Sequence, residues 1–467
     1  MNANLYSLLT HSISSRPEAA CLIIPGGPDV SRQELLDGAG RLASVLAARG
    51  VRPRDRVMVQ VPKSPEALML YLATLKMGAV FAPLNAAYTS SEVDQFIRDA
   101  EPKLFVDDVL TLAEEARSHS PNNEVYPSSR DDLAALIYTS GTTGRSKGAM
   151  LTHAALAANA IALVDVWRFE EQDRLLHALP IFHVHGLFVA THCALLTGAV
   201  MIWLDKFDET DVLCTLPAAT VMMGVPTFYT RLLRNSEFVR EKTAKIRVFI
   251  SGSAPLSPST FEEFEARTGH RILERYGMSE AAIITSNPLD EDRVPGSVGY
   301  PLPGVDVRVT PGEVGQIEIK GPSLFSGYWK LPERTDEEFT EDGYFKTGDL
   351  GHLDTDGRLW ITGRAKELII TGGYNVYPKE IELLLDRCPG VLESAVFGVP
   401  ASDLGEAVIA AVVLESGCDT SAIMEFLRQK LAGFKIPKRL LAVTALPRNA
   451  MGKVQKNALR ERFEEAM

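Results

Sequence analysis

The chain has 467 residues, of which 46% are apolar and 23% are charged. These values are typical of a folded globular protein and exclude wholesale disorder and collagen-like repeats. At roughly 150 residues per domain, the length predicts two to four domains. Lys and Arg total 48 and Asp and Glu total 60, so the formal net charge is −12. This acidic balance argues against nonspecific binding to nucleic acid or to an anionic membrane.

Short apolar, β-branched runs alternate with longer amphipathic stretches over most of the chain. The pattern first appears as a strand over 56–61, a helix over 65–77 and a strand over 80–84, and it recurs over 218–251. Alternating strands and helices predict parallel sheets that are covered by helices. The predicted fold class is therefore α/β.

One long apolar stretch, Ile181 to Leu204, contains no Asp, Glu, Lys or Arg and has the length of a membrane span. It also contains several histidines, among them His183 and His185, and two glycines. We interpret this stretch as a buried helix and strand of a large α/β core. The sequence accordingly predicts no membrane partner.

Two changes of character divide the rest of the chain. From about Val305, short strands separated by Gly, Pro and Asp turns predict a small antiparallel, β-barrel-like unit. A compact βα pattern follows, in which Pro378 stands where a helix would start and Glu380 and Glu382 are predicted in its first turn. The sequence therefore predicts a large N-terminal part, 1–364, and a small α+β C-terminal domain, 365–467.

The five cysteines lie far apart in sequence, so they form neither a CxxC pair nor a disulfide framework. The N-terminal residues lack a cationic segment followed by an apolar one, which is the pattern of a secretory signal. These observations predict a reducing, cytoplasmic location, and an organellar mature form stays open.

The segment from Tyr138 to Gly148, YTSGTTGRSKG, follows an apolar strand over 133–137. Its glycines let backbone N–H groups approach phosphate oxygens, its hydroxyls add donors, and Lys147 adds a positive charge. The Walker A spacing does not fit, because Ser146 stands where that motif has its second glycine. The segment is therefore predicted to be a phosphate-binding loop of another kind.

This loop resembles the phosphate-binding signature of the adenylate-forming superfamily, which includes acyl-CoA synthetases, adenylation domains of peptide synthetases and luciferases. Four further blocks resemble that family in the same order along the chain. They are ERYGMSE (274–280), FKTGDL (345–350), GR with GGYNVYP (363–364 and 372–378) and PRNAMGK (447–453). The resemblance implies ATP-dependent activation of a carboxylic acid, with ATP, Mg²⁺ and coenzyme A as cofactors or co-substrates.

The resemblance also implies roles for individual residues. Lys453 would bridge the acyl carboxylate and the α-phosphate, Glu280 would bind Mg²⁺, and Asp349 would hold the ribose hydroxyls. Ser279, where the family usually has Thr, and Lys147 would contact phosphate. The nucleotide and coenzyme positions implied by the motifs are Thr139, Ser140, Gly141, Thr142, Thr143, Gly144, Lys147, Gly252, Ser253, Ala254, Glu274, Arg275, Tyr276, Gly277, Met278, Ser279, Asp349, Arg364, Lys366, Gly372, Gly373 and Tyr374.

Lys366 matches the hinge position of the family. The resemblance implies that the small C-terminal domain is mobile and rotates between two poses about this residue. One pose would bring Lys453 into the site for adenylation. The other would remove Lys453 and bring in the loop formed by Gly372, Gly373 and Tyr374 for thioester formation.

Three segments resemble malonyl-CoA synthetases within this family: LPIFHVHGLF (179–188), MGVPTFYTRLL (223–233) and ERYGMSEAAIITSNPLDEDRVPG (274–296). Malonate keeps a second carboxylate, which needs a paired cation in a partly buried site, ideally a bidentate guanidinium. We predict Arg231 as the first candidate for that cation and Arg293 as the second. A fatty-acid pocket would instead be a long apolar tunnel.

His183 and His185 raise the question of zinc, but no third ligand stands at a plausible spacing, so we predict no metal there. By resemblance, His185 is a neutral imidazole that lines the acyl pocket and either donates to the substrate carboxylate or gates access of the thiol. Val184 and Ile283 are predicted walls near the α-carbon of the acid, and both are stiff at χ1 because they are β-branched. Whether these walls admit a 2-methyl group, as in methylmalonate, stays open.

Two other functions are left open. One is adenylation of another small carboxylic or amino acid for CoA or a carrier protein. An amino acid would call for an acidic residue that grips the ammonium, and none matches. The other is a non-catalytic relative, which loss of Lys453, Glu280 or Asp349 would indicate, and all three are present. The predicted partners are small molecules only, and the sequence does not determine the oligomeric state.

Overall fold

The computed structural model describes residues 2–139, 146–401, 404–415, 417–418, 420–448 and 453–465. In chain order, its strands are β1 (Ala20–Ile23), β2 (Val30–Ser31), β3 (Arg56–Val59), β4 (Val80–Pro83), β5 (Leu104–Val106), β6 (Leu133–Thr139), β7 (Lys147–Thr152), β8 (Arg174–His177), β9 (Val200–Trp203), β10 (Val221–Gly224), β11 (Val248–Ser251), β12 (Leu273–Met278), β13 (Ala282–Ser286), β14 (Tyr300–Pro301), β15 (Asp306–Val309), β16 (Gly315–Lys320), β17 (Phe345–Leu353), β18 (Leu359–Arg364), β19 (Ile369–Thr371), β20 (Tyr374–Val376), β21 (Val391–Ala401), β22 (Gly405–Leu414) and β23 (Arg439–Ala442).

The α-helices are α1 (Leu5–Thr10), α2 (Arg32–Ala48), α3 (Pro65–Lys76), α4 (Ser90–Ala100), α5 (Val109–Ala116), α6 (His153–Val166), α7 (His192–Thr197), α8 (Glu209–Thr215), α9 (Pro226–Arg234), α10 (Arg240–Thr243), α11 (Pro258–Thr268), α12 (Pro332–Glu337), α13 (Pro378–Leu385), α14 (Thr420–Lys430) and α15 (Lys456–Glu465). Single 3₁₀ turns cover Ile13–Ser15, Leu216–Ala218, Ala365–Glu367 and Gly433–Lys435.

Two large sheets form the N-terminal part. One has the order β5-β3-β4-β6-β7, and the other has the order β14-β13-β12-β11-β10-β8-β9-β1-β2. Their central strands pair in parallel, whereas β7, β13, β14 and β2 pair antiparallel at the edges. Helices connect the parallel strands, as βαβ units require. The α/β prediction is confirmed.

The first such crossover shows how the sequence sets element bounds. Strand β3 ends at Val59, and Ser64 caps α3 by accepting the N–H of Ala67 at 3.1 Å, with Pro65 at the first helical position. Both residue types favour a helix start at these positions. Lys63 is therefore held immediately before a fixed helix terminus.

The antiparallel unit that follows is a four-stranded sheet, β15-β16-β17-β18. Residues from Ile369 onward form a separate sheet, β20-β19-β22-β21, with β23 parallel to β22. This last sheet packs with α13 and α14 around a core of its own that includes Ile369, Val396 and Leu427. Helix α13 begins at Pro378 with Glu380 in its first turn, as its sequence predicts, whereas Glu382 lies beyond that turn.

Most of the apolar stretch from Ile181 to Leu204 lies in the main core of the N-terminal part, and Ile202 and Leu204 lie in a second apolar cluster beside it. It folds as a π-helix, His185–Thr191, which continues into α7 and then β9. None of the described helices combines the length and apolarity needed to cross a membrane. The interpretation of this stretch as a buried helix and strand agrees with the structure, although its first turns are wider than an α-helix.

Candidate active site

Arg275 lies flat against the backbone at the end of β11. A Cβ atom on Gly252 would lie 2.3 Å from Cζ of Arg275, so only glycine leaves room for the guanidinium there. Ser253 follows with a φ of +72°, a left-handed conformation that is unusual for a residue with a side chain. The turn after β11 therefore serves to seat the Arg275 side chain.

The Arg275 guanidinium is buried and incompletely paired. Its Nε and Nη2 atoms have no hydrogen-bond partner within the described part of the chain. Burial lowers the pKa of Arg275 to about 9, which still leaves the group charged at neutral pH. Leaving donors of a buried guanidinium unpaired is costly, and an anion bound here would supply the missing acceptors.

Two histidines lie near this charge, His183 just before the π-helix and His185 at its first position. Nδ1 of His185 is 3.3 Å from Oγ of Ser253, and the N–H of His185 donates to Nδ1 of His183 at 3.2 Å. Burial, and then the charge of Arg275, lower the pKa of His185, and burial, Lys453 and Arg275 lower that of His183 to about 3. Both imidazoles are therefore neutral at physiological pH.

The predicted walls Val184 and Ile283 are both buried, at 5% and 1% exposure. Asn159 of α6 fixes the backbone of Ile283, since its Nδ2 donates to the Ile283 carbonyl at 2.8 Å. A Cβ atom on Gly277 would lie 2.0 Å from the Ala282 carbonyl oxygen, so the β12–β13 connection closes tightly beside this wall.

Asp349 on β17 is a buried carboxylate with two partners. Tyr276 donates its hydroxyl to Oδ2 at 2.5 Å, and Nε of Arg364 lies 2.8 Å from Oδ1. Burial raises the pKa of Asp349, and Arg364, Tyr276 and Lys453 oppose that rise. Asp349 and Arg364 are register partners on β17 and β18, which fixes the pair. This acid is well placed to accept two neighbouring hydroxyls of a ligand.

Lys147 and Glu280 share one corner of the site. Nζ of Lys147 is 3.4 Å from Glu338 and 4.6 Å from the ring centre of Tyr328. Tyr328 in turn donates its hydroxyl to Oε1 of Glu280 at 3.0 Å. Burial raises the pKa of Glu280, while Tyr328, Arg364 and Lys147 act to lower it.

Lys453 comes from the C-terminal part of the chain, and its charge interacts with charged residues of this site. It stays accessible to solvent. The protein packed around it and the charge of Arg364 lower its pKa, and Asp349 and Glu280 oppose the shift. The charges of Arg364, Asp349 and Glu280 all act on Lys453, so the structure places this lysine in their neighbourhood.

Lys366 lies in the 3₁₀ turn between β18 and β19. Gly372 and Gly373 form the tight β19–β20 connection with φ values of +56° and +82°. Tyr374 is 58% exposed and stacks on Phe434 with ring centres 4.6 Å apart. The loop thus presents an aromatic face to solvent.

Arg231 and Arg293 have other partners. Nε of Arg231 is 2.7 Å from Glu209, and the guanidinium stacks 5.0 Å from the ring centre of Phe207 at the surface. Arg293 donates to the backbone carbonyls of Pro288, Leu289 and Arg271. Both guanidinium groups are engaged with protein groups, in contrast to that of Arg275.

Several predicted positions lie outside the described residues, namely Ser140, Gly141, Thr142, Thr143 and Gly144. Their flanks are described, and Thr139 on β6 is the register partner of Lys147 on β7. The described residues contain no cluster of three or more His, Cys, Asp or Glu side chains able to hold a metal by themselves.

Sequence reasoning did not single out Tyr328 and Glu338, which contact Glu280 and Lys147. It also gave Arg275 no role in binding the acid. The available signal was the pair of adjacent charges, Glu274 and Arg275, near the start of strand β12, which otherwise consists of Leu, Tyr, Gly and Met. A charge placed among buried strand residues indicates a functional site more strongly than one on an exposed helix.

Comparison with known proteins identifies the class. The model of the AMP-binding enzyme family matches residues 9–329, and that of the AMP-binding enzyme C-terminal domain matches residues 380–453. The chain therefore belongs to the AMP-binding enzyme family, whose members use ATP.

Particular relatives narrow the comparison. The malonate–CoA ligase of Arabidopsis thaliana is 36% identical, over 88% of this chain and 78% of that protein. The ATP-bound crystal structure of MatB from Rhodopseudomonas palustris is 50% identical, covers 100% of both chains and superimposes with a TM-score of 0.96. The apo form of the same MatB, at equal identity and coverage, gives 0.84. The arrangement of this chain is thus more similar to the ATP-bound form.

Proposed function

We propose that this enzyme joins malonate to coenzyme A at the expense of ATP, through an acyl-adenylate, and releases AMP and pyrophosphate. The class of reaction, an AMP-forming ligation of an acid to CoA, follows from the family and from the malonate–CoA ligases among its relatives. The choice of malonate for this chain is supported by its own acyl pocket.

The single observation that carries this choice is the buried Arg275. A monocarboxylic acid offers one carboxylate, which must meet ATP, whereas malonate offers a second anion to the far end of the pocket. The free Nε and Nη2 atoms of Arg275 suit that carboxylate. Ser253 and His185 lie beside it and add polar contacts. We therefore propose Arg275, rather than Arg231 or Arg293, as the residue that recognises the second carboxylate.

Adenylation joins two anions, so local cations must offset their repulsion. In the proposed reaction an acyl carboxylate oxygen attacks the α-phosphorus of ATP, and the bond from that phosphorus to pyrophosphate breaks. Lys453 neutralises charge on the carboxylate and α-phosphate, and Lys147 does so on the departing pyrophosphate. Asp349 holds the ribose hydroxyls and thereby fixes the nucleotide.

The residues around Glu280 suit Mg²⁺, which prefers carboxylate and phosphate oxygens and seldom relies on a full protein cage. Glu280 is the one carboxylate we assign as its protein ligand. Its Oε1 already accepts a hydrogen bond from Tyr328, and its pKa is raised by burial, so a cation would favour its ionised form. Bound there, Mg²⁺ would neutralise phosphate charge.

In the second half-reaction the thiol sulfur of CoA attacks the acyl carbonyl, loses its proton, and expels AMP. We propose that the domain 365–467 rotates about Lys366 for this step, which takes Lys453 away. The exposed aromatic face of Tyr374 supports a role of the Gly372–Gly373 loop in guiding the pantetheine arm. We also propose that this chemistry takes place in a reducing compartment such as the cytoplasm, since all five cysteines are free.

The test of the proposed function is a panel of acids. With ATP, Mg²⁺ and CoA supplied, we expect malonate to give the highest kcat/KM among malonate, methylmalonate, acetate, butyrate and benzoate. AMP formation and thioester formation are both recorded. A monocarboxylic acid whose kcat/KM exceeds that of malonate about tenfold would overturn the dicarboxylate assignment. That ratio corresponds to about 1.4 kcal/mol of transition-state stabilisation in favour of the monocarboxylic acid.

Arg275→Gln and Arg231→Gln form a matched pair of variants. Arg275→Gln should lower kcat/KM for malonate about 100-fold or more, since it removes a buried charge partner, and should affect acetate far less. Arg231→Gln, at the surface, should leave both acids within about twofold. A large loss with malonate in Arg231→Gln and little change in Arg275→Gln would assign recognition of the second carboxylate to Arg231, as the sequence predicts.

A further inference from the structure

Lys63 is a buried cation that the proposed chemistry does not use. It follows β3 of the five-stranded sheet, and its Nζ reaches the carboxyl ends of β8 and β9 in the nine-stranded sheet. There it lies 2.9 Å from Nδ1 of His177, 2.7 Å from the His177 carbonyl and 2.7 Å from the Leu204 carbonyl. It also lies 4.2 Å from the ring centre of Trp203. An ammonium has three N–H donors, and all three find an acceptor here.

His177 connects Lys63 to the segment that lines the acyl pocket. Its Nε2 lies 3.0 Å from the Gly186 carbonyl and 3.0 Å from Oγ1 of Thr191. A carbonyl only accepts hydrogen bonds, so Nε2 must carry the proton and Nδ1 must be bare. Burial lowers the pKa of Lys63, but its Nζ faces two carbonyls and the bare Nδ1, so the ammonium form supplies the matching donor to Nδ1. The two contacts independently require the same tautomer of a neutral His177, and burial lowers its pKa in agreement.

The pair formed by Lys63 and His177 contacts the segment that carries His183, Val184 and His185 through Gly186. Its carbonyl accepts hydrogen bonds from His177 and from Thr191, the latter at 2.9 Å. A Cβ atom on Gly186 would lie 2.0 Å from the Pro180 carbonyl oxygen, so the segment folds back on itself without spare room. His183 and His185 lie within that fold, and His185 starts the π-helix.

We propose that Lys63 and His177 are positioning residues that fix the segment carrying His183, Val184 and His185, and so set the affinity for the acid without touching either substrate. This inference rests on the proposed function only in that the segment lines the acyl pocket of an adenylating ligase. The pair acts through the Gly186 carbonyl. Disturbing it should change recognition of the acid and leave the nucleotide site, built on β17, β18 and the β6–β7 strands, unchanged.

The test compares His177→Asn with His177→Gln. The Asn amide is too short to reach Gly186, whereas the Gln amide nitrogen can stand where Nε2 stood. We expect His177→Asn to raise KM for the acid about tenfold, in line with the cost of misplacing binding groups, with KM for ATP within twofold. His177→Gln should recover most of that loss. A residue with only a structural role would lower the melting temperature without separating the two KM values.

Two lysine variants complete the design. Lys63→Met should raise KM for the acid as His177→Asn does, and the double variant should cost no more than the single ones, since both act through one contact. Lys76→Met is the matched control, because Lys76 is also buried and lies 4.5 Å from the ring centre of Tyr6. It should lower stability and leave KM for the acid unchanged.

All KM values are measured with the acid that the wild-type enzyme uses best in the panel. An error in the choice of malonate therefore leaves this test intact. If Lys63→Met does not fold, the two His177 variants still decide. The proposal is overturned if His177→Asn leaves KM for the acid unchanged, if it raises both KM values equally, or if His177→Gln behaves no better.

Discussion

Lys453 is the residue whose removal should separate the two half-reactions. Lys453→Ala should lower acid-dependent pyrophosphate release by about 10²–10³-fold, the range for loss of one preorganised charge at a transition state. Thioester formation from supplied acyl-adenylate should change little, because the proposed rotation of the C-terminal domain takes this lysine away from the site. Rapid-quench measurements of each half-reaction would check this. An equal loss in both would exclude the alternation of domain poses.

Glu274, next to Arg275, offers a test of burial through pH. Burial raises its pKa to about 7. Between the unfolded value near 4.5 and about 7, the folded protein retains a proton that the unfolded chain has lost. The free energy of unfolding contributed by Glu274 is therefore highest below pH 4.5 and falls as the pH rises through 7.

Glu274→Gln is neutral at every pH, so it should remove this fall. Relative to wild type, the variant should gain up to ~3 kcal/mol between about pH 5 and pH 7.5, at 1.36 kcal/mol per pKa unit. Urea unfolding at the two pH values measures the difference. An unchanged slope in the variant would mean that Glu274 ionises normally in the folded protein.

At the scale of elements, Lys456 ties three segments of the C-terminal domain together. Its Nζ lies 2.8 Å from Glu382 on α13 and 3.0 Å from Glu367 in the turn at the proposed hinge. Lys456 opens α15 and stands three positions after Lys453. The pair of contacts thus fixes the segment that delivers Lys453 to the site.

Lys456→Met should therefore slow adenylation about tenfold and spare thioester formation from supplied adenylate. Lys435→Met is the control, since it breaks another ion pair of α13, with Glu380 at 2.7 Å, and should leave both half-reactions unchanged. Adding Glu382→Gln to Lys456→Met removes the uncompensated buried charge and restores folding if that is lost. Slowing of both half-reactions in that double variant would argue against the positioning role.

Elements with a local signal could be predicted from the sequence, and elements set by distant contacts could not. The helix at Pro378 and the β3–α3 unit follow from residues next to one another in the chain. The π-helix at His185 has no such signal. Its geometry depends on Lys63, which lies 114 positions before His177 and contacts it only after two sheets assemble.

The dependence on distant contacts also explains why the arginine of the acyl pocket could not be predicted from the sequence. The sequence favours Arg231 and then Arg293 as the cation for the second carboxylate, because local pattern does not reveal which guanidinium is left without a partner. In the structure Arg231 meets Glu209 through the approach of α8 and α9, whereas Arg275 is enclosed by the turn at Gly252. The motif residues around Asp349 and Glu280 could be located in advance because the resemblance supplied their positions.

At the scale of the whole molecule, an acidic protein must bind three anionic substrates. The net charge of −12 repels malonate, ATP and CoA at long range. Attraction has to come from cations gathered at one place, among them Arg275, Arg364, Lys147 and Lys453. Arg275 is 4% exposed, so dissolved ions screen it far less than they screen the surface charge.

This contrast predicts an unusual dependence on salt. Raising ionic strength from about 0.05 M to about 0.5 M shortens the Debye length to a few ångströms and weakens the long-range repulsion, while the buried contact with Arg275 is retained. The kcat/KM for malonate should therefore stay level or rise when ATP and CoA are saturating. Arg231, which is 49% exposed at its side chain, would lose its attraction under the same conditions. A fall of kcat/KM by threefold or more, about 0.6 kcal/mol, would assign recognition of the second carboxylate to a surface arginine instead.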